Sequence, residues 1–170
     1  KSANYNEFAL HRHQEKKMRN RKNTLLCFCT MLCLLLDPVI SFSMPHDPAV
    51  VAGNASINQS VNKTTVNQSS NRAIINWGGY SIDVDEVVEY IQPGAGSVIL
   101  NRVTGGDPSK ILGQLKANGQ VFLVNPNGVL FGNRCRVNVG GLVATTHDVK
   151  NEDFMAGNNN FNRILNLELA

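Results

Sequence analysis

A chain of 170 residues with a formal net charge of +3 allows one domain. The charge is uneven: residues 1–43 hold seven Lys/Arg and three Asp/Glu, and residues 44–170 hold nine and ten. The basic excess belongs to the first segment, so no nucleic-acid surface is implied. Cysteine divides the same way, with Cys27, Cys29 and Cys33 early and Cys135 alone later. A lone cysteine forms no internal disulfide, and Cys135 reads as a small, buried hydrophobe. No Cys/His spacing suits zinc.

Residues 1–43 read as an export signal. Lys16-Lys17-Met18-Arg19-Asn20-Arg21-Lys22 is basic, and Thr24 to Leu36 is an uncharged, apolar run of thirteen. That is short of the ~20 residues of a spanning helix. Ser41 and Ser43 then place small residues at −3 and −1 of a cut before Met44. A basic start, an apolar middle and a small-residue exit make a secretory signal peptide, with Met18 as the expected true start. The general export machinery is the partner this implies.

Residues 44–70 read as a polar lead-in and cap. Met44 to Gly53, with Pro45 and Pro48, is an exposed lead-in. Ala55 to Ser70 is built from Asn, Gln, Ser and Thr around Ile57, Val61 and Val66. That composition suits a disordered linker or thin edge strands capping a stack, and strands are the reading adopted. Four Asn-x-Ser/Thr triplets begin at Asn54, Asn58, Asn62 and Asn67. Such triplets arise by chance in a segment of this composition.

Short apolar strands then recur about every 10 residues, divided by Gly, Asn, Asp and Pro. They are expected at Ala73–Trp77, Tyr80–Ile82, Val87–Ile91, Ser97–Val103, Val121–Val124, Val129–Phe131, Arg136–Val139 and Leu142–Thr146. Ser109 to Lys116 fits one helical turn or a strand beside Gly113. Between Val124 and Val129 lies Asn125-Pro126-Asn127-Gly128. Asn at the first position bonds its own backbone, Pro at the second presets φ, and Gly sits at the fourth. Asn127 tolerates the left-handed region, so a type II turn is open to it. The pattern is all-β, and its period leaves sandwich, barrel and β-helix open. Eighteen Asn among residues 44–170 favour a β-helix, where Asn stacks in ladders between coils.

Three blocks carry a resemblance. Gly119-Gln120-Val121-Phe122-Leu123-Val124 leads into Asn125-Pro126-Asn127-Gly128. Before it stand Asn71 to Trp77 and Gln92 to Val103; after it stands Val137 to Thr146. In this order the blocks resemble the two-partner-secretion domain of filamentous-haemagglutinin-like exoproteins and high-molecular-weight adhesins of Gram-negative bacteria. The resemblance covers about Ala52 to Gly157.

It implies a right-handed parallel β-helix with a polar N-terminal cap and rungs over 71–160. The residues from 161 to 170 depart from the family, so truncation or a frameshift near Asn162 is expected. The resemblance implies a secretion and targeting domain that reaches the periplasm unfolded and is recognised by a partner outer-membrane β-barrel transporter. The full protein is then a secreted or cell-surface adhesin, haemagglutinin or contact-dependent toxin. A host glycan or receptor is a partner for its downstream region. Asn125, Pro126, Asn127 and Gly128 form the secretion motif, with Asn101 and Arg102 next in line, and Ser43/Met44 marks the cut.

No enzyme, cofactor or metal chemistry is expected. The glycine-rich stretches at Pro93–Ser97 and Thr104–Lys110 lack the ending of a phosphate loop. Asp83, Asp85, Glu86 and Glu89 lack the glycine and terminal glutamate of a calcium loop and read as a solvated turn. His147 beside Asp148 has no nucleophile elbow and reads as a surface histidine. A β-helix polysaccharide lyase or hydrolase is the enzyme alternative, and direct binding of host glycans is a third reading.

Overall fold

The computed structural model describes residues 44–162. The signal-peptide reading of residues 1–43 and, from residue 163 on, the divergent-tail reading of residues 161–170 lie outside the described residues. The strands are β1 (Ala49–Ala52), β2 (Ala55–Ser60), β3 (Lys63–Gln68), β4 (Arg72–Trp77), β5 (Val87–Ile91) and β6 (Val98–Val103). They continue as β7 (Ser109–Ile111), β8 (Gln114–Ala117), β9 (Gln120–Val124), β10 (Val129–Phe131), β11 (Arg136–Asn138) and β12 (Gly141–Thr145). A short helix, α1 (Asn151–Met155), follows.

Three sheets wind around one interior. The first runs β1-β4-β6-β9-β12, the second β11-β8-β5-β3-β2, and the third pairs β7 with β10. Within each, every strand from β3 onward pairs in parallel with its counterpart one rung away. The result is an all-β parallel solenoid of about four turns. Ser109 to Lys116 is strand, not helix, with β7 and β8 meeting at a bend over Leu112 and Gly113. Tyr80 to Ile82 is not a full strand. Only Ile82 pairs, in a single parallel bridge to Ile111.

Side-chain alternation explains the faces. In β6, Ile99, Asn101 and Val103 point inward, while Val98 and Leu100 join a second cluster on the outside. In β9, Val121 and Leu123 point inward, and Phe122 and Val124 outward. The middle of the first sheet is therefore covered on both faces, so a strand such as β9 reads as a continuous apolar run. The second sheet buries one face only. Its β3 alternates, with Thr64, Val66 and Gln68 buried and Lys63, Thr65 and Asn67 facing out.

The N-terminal lead-in differs from the sequence reading. Residues 49–52 form β1, antiparallel to β4, and β2 is antiparallel to β3. Both cover the free backbone edge of the first rung. An uncovered edge would pair with foreign strands, so this is the cap the solenoid needs. The β-branched residues of Ala55 to Ser70 serve the strand reading there. Parallel stacking already begins with β3, inside the segment assigned to the cap.

Residues 146–162 fold back over the outside of the first sheet. Phe154 of α1 is fully buried there and meets Phe122 edge-on at 5.9 Å, with Phe161 at 5.7 Å from Phe122. The Arg72 guanidinium stacks 4.3 Å above the Phe154 ring. No 3.6-residue pattern announced this helix, because Phe154 is its only buried residue.

Within β10, Val129 and Phe131 turn toward the core and Leu130 is 57% exposed. Phe131 is half-buried, because it lies in the last described rung. Leu115, in the middle of the stack, is fully buried. Leu115→Ala is expected to lower unfolding free energy by about 2–5 kcal/mol, and Phe131→Ala by less than the 3–5 of a fully buried Phe. Urea titration of both variants checks the order.

Candidate functional site

The Asn125–Gly128 turn joins β9 to β10 and is held from within. Asn125 is fully buried, and its backbone N–H donates to the Thr145 carbonyl at 3.0 Å. Its side-chain Nδ2 donates to the Asp107 carbonyl at 3.0 Å and to Ser109 Oγ at 2.9 Å. Its Oδ1 accepts the Asn127 N–H at 2.9 Å, an Asx-turn, and its carbonyl accepts the Gly128 N–H at 3.0 Å. Asn127 Nδ2 in turn donates to the Gly105 carbonyl at 2.9 Å. Pro126 and Asn127 are exposed.

The open choice of turn type resolves against type II. Among the described residues Asp47 alone has a positive φ without being glycine. The left-handed conformation instead falls on Gly128 at φ 106°, where no Cβ opposes it.

Asn101 sits inside the solenoid with no exposed surface. Its Oδ1 accepts the Trp77 Nε1–H at 3.0 Å and the Tyr90 hydroxyl at 2.8 Å, and its Nδ2 donates to the Phe122 carbonyl at 3.3 Å. The Tyr80 and Tyr90 hydroxyls are 2.8 Å apart. One amide thus ties together side chains or backbone from three rungs, and nothing of it faces a partner. Arg102, on the outer face of the same strand, grips the strap that residues 146–162 lay over the first sheet. Its Nε donates to both carboxylate oxygens of Asp148 at 2.9 and 2.8 Å, its Nη1 to Asn151 Oδ1 at 2.9 Å, and its Nη2 to the Val149 carbonyl at 2.8 Å.

The remaining candidates are spread apart. Asp83 and Asp85 are exposed, but Glu86 folds inward and its Oε2 accepts the Asp83 N–H at 2.7 Å. His147 is exposed. Cys135 is a half-buried free thiol against the inner core. Met44 is the first described residue, and Ser43 lies outside. Among the described residues no group of three His, Cys, Asp or Glu is placed to hold a metal ion.

Residues 43–168 match the TPS secretion domain family. The chain belongs to that family. A heme/hemopexin-binding protein of Haemophilus influenzae strain Rd is 42% identical over 124 residues, 72% of this chain and 14% of that protein. A second H. influenzae heme/hemopexin-binding protein is 40% identical over 107 residues, 62% of this chain and 12% of that protein. The crystal structure of the HMW1 secretion domain from H. influenzae shares the fold at a TM-score of 0.67 and 39% identity, over 70% of this chain and 32% of that one. The chain spans about one-seventh of the length of the curated relatives it matches.

This TPS secretion domain also holds polar anchors that the sequence reading passed over. Gln68 and Gln92 are buried at the corner between β3 and β4 and between β5 and β6. Gln92 Nε2 donates to Gln68 Oε1 at 3.0 Å, and Gln92 Oε1 accepts the Gly119 N–H at 3.0 Å. Asn118 continues the column, exchanging two 2.7 Å bonds with the Gln92 backbone. The expected side-chain ladder exists, but glutamine begins it. The recurrence of Gln68, Gln92 and Asn118 at or just past the ends of β3, β5 and β8 was the signal for it.

Two measurements follow from this geometry. Asn125→Ala removes one buried and one half-buried donor bond and orphans the Asn127 N–H, and is expected to cost about 2–3 kcal/mol in a urea titration. Burial raises the Tyr80 and Tyr90 hydroxyl pKa values well above the usual tyrosine range; for Tyr90 the Tyr80 neighbour adds to this. The folded chain then keeps protons that the unfolded chain releases, so this contribution is full below about 10, the unfolded tyrosine value, and is lost above it. The urea midpoint is expected to hold from neutral pH to about 9 and to fall beyond about 10. Tyr80→Phe should make that fall shallower.

Proposed function

We propose that this chain is the N-terminal targeting domain of a large Gram-negative exoprotein, and that a partner outer-membrane β-barrel transporter recognises it. Residues 1–43 would bring it to the general export machinery and be cut off between Ser43 and Met44. The remainder of the exoprotein, an adhesin, haemagglutinin or contact-dependent toxin, follows it to the cell surface or the medium. Contact with a host glycan or receptor belongs to that remainder. The observation that carries this reading is the family match over residues 43–168. The solenoid adds physical support, because its antiparallel cap leaves new rungs to be added at one end only.

In this reading Asn125, Pro126, Asn127 and Gly128 form the secretion motif. Asn125 sets the shape of the turn from inside, and Pro126 and Asn127 lie on the outside. Asn101 and Arg102 support the motif by holding the rungs and the strap together. No observation favours the lyase or hydrolase alternative.

The test separates display from stability. Losing the exposed bond from Asn127 to Gly105 is expected to cost about 0.5–1.5 kcal/mol, which the stack tolerates. Purified Asn127→Ala should therefore keep the wild-type circular dichroism spectrum. Co-expressed with the transporter, it should reach the medium in lower yield. Undiminished export would reduce the motif to a turn, and an unfolded variant would make its role structural.

A further inference from the structure

We infer that two Asn–Gly links, Asn118–Gly119 and Asn127–Gly128, are self-modifying sites that completion of the fold switches off. A chain held unfolded converts these asparagines to aspartate or isoaspartate, and a converted Asn118 no longer fits the column of polar anchors. The inference does not depend on the turn being a secretion motif.

These are the two places in the 170-residue sequence where glycine follows asparagine. A glycine amide has no side chain beside it, so its nitrogen reaches the Cγ of the preceding asparagine with the least hindrance. The nitrogen attacks that carbon, and the new N–Cγ bond closes a five-membered imide. The side-chain amide leaves as ammonia, taking up the proton that the glycine nitrogen gives up. Water then opens the ring at either carbonyl. One opening gives aspartate, the other isoaspartate, whose backbone runs one carbon longer. Each site consumes a water and releases an ammonia, and no oxidant or metal enters.

The folded chain withholds the groups this attack needs. Gly119 is buried, and its N–H donates to Gln92 Oε1 at 3.0 Å. The Asn118 side chain is held at both ends: its Oδ1 accepts the Gln92 N–H and its Nδ2 donates to the Gln92 carbonyl, each at 2.7 Å. Gly128 donates its N–H to the Asn125 carbonyl at 3.0 Å, and Asn127 donates Nδ2 to the Gly105 carbonyl at 2.9 Å. An amide proton held by an acceptor is released to base only when that part of the fold opens. Asn118 has the more complete protection, because Gly128 is only half-buried and the Asn127 side chain is exposed.

The fold nevertheless requires both links. A Cβ on Gly119 would come within 2.6 Å of the Ser97 carbonyl oxygen, and Gly128 stands at φ 106°. Both asparagines act as donors, which a carboxylate cannot do. Aspartate at position 118 would turn an oxygen toward the Gln92 carbonyl, where the amide now donates. Isoaspartate there would lengthen the link from β8 to β9, which Asn118 and Gly119 alone provide. Time spent unfolded is therefore written into the two residues that the stacked rungs depend on.

The experiment holds the full chain at one mildly alkaline pH, folded in buffer or unfolded in guanidinium chloride. Peptide mass spectrometry with isoaspartate detection then follows each asparagine over time. Both links are expected to convert at least about tenfold more slowly in the folded chain, because reaction there waits on local opening. Asn118 should be the slower of the two. Asn76, which precedes Trp77, is the internal reference and should stay intact in both states. Once the denaturant is removed, the aged chain should regain less of the folded circular dichroism signal than a fresh one. Asn118→Asp should lower the urea midpoint in the same direction. Equal conversion rates in the two states, or no conversion in the unfolded chain, would overturn the inference. Full refolding of an aged chain that carries the converted Asn118 would sever the link to the column.

Discussion

Strand β6 is hydrogen-bonded along one edge to β4 and along the other to β9, in unbroken parallel register. Everything else in the solenoid depends on that register. Side chains alternate between faces, so a slip of one residue would send Ile99 and Val103 outward and bring Arg102 inside. The inner core exists only as columns of residues from successive rungs, such as Ile75, Asn101 and Leu123. No single rung encloses a core of its own.

Polar groups inside the stack make the register discriminating. Apolar columns alone would tolerate several offsets. Asn101 is satisfied only when Trp77, Tyr90 and the Phe122 carbonyl all arrive together. Gln92 likewise needs both Gln68 and Gly119 in place. A buried amide that misses its partners costs more than a slipped methyl group, so these residues penalise the wrong alignment. On the outside, Arg102 does the corresponding task for the strap through Asp148, Asn151 and the Val149 carbonyl.

Much of the fold was legible because the two kinds of strand advertise themselves differently. Runs such as Val121 to Val124 are apolar throughout, since the middle of the first sheet is covered on both faces. The turns between them follow from Gly, Asn and Pro chemistry. What escaped has physical reasons too. Pro45 and Pro48 hid β1, whose contribution is backbone pairing to β4 rather than burial. Helix α1 is only five residues long and is defined by where Phe154 lands. Asn101 and Arg102 stand side by side in the sequence and are both polar, so sequence alone could not say that one points into the core and the other into the strap. At the turn, residue types gave the shape, while the clasp on Gly105 and Asp107 appears only once the rungs are stacked.

The cap carries a consequence for the order in which this chain acquires structure. Strands β2 and β3 are joined by Val61 and Asn62 alone, so Ser60 and Lys63 are already near neighbours when they pair. Every later pairing, beginning with Lys63 to Val87, must close the loop of an entire rung. Short-range closure costs the least chain entropy and is the fastest to occur. The hairpin over residues 55–68 is thus the cheapest ordered surface in the molecule, and its β3 edge is the one on which β5 must land. It acts as a seed crystal does. The first layer is laid by local chemistry, and each later layer copies the spacing of the one beneath.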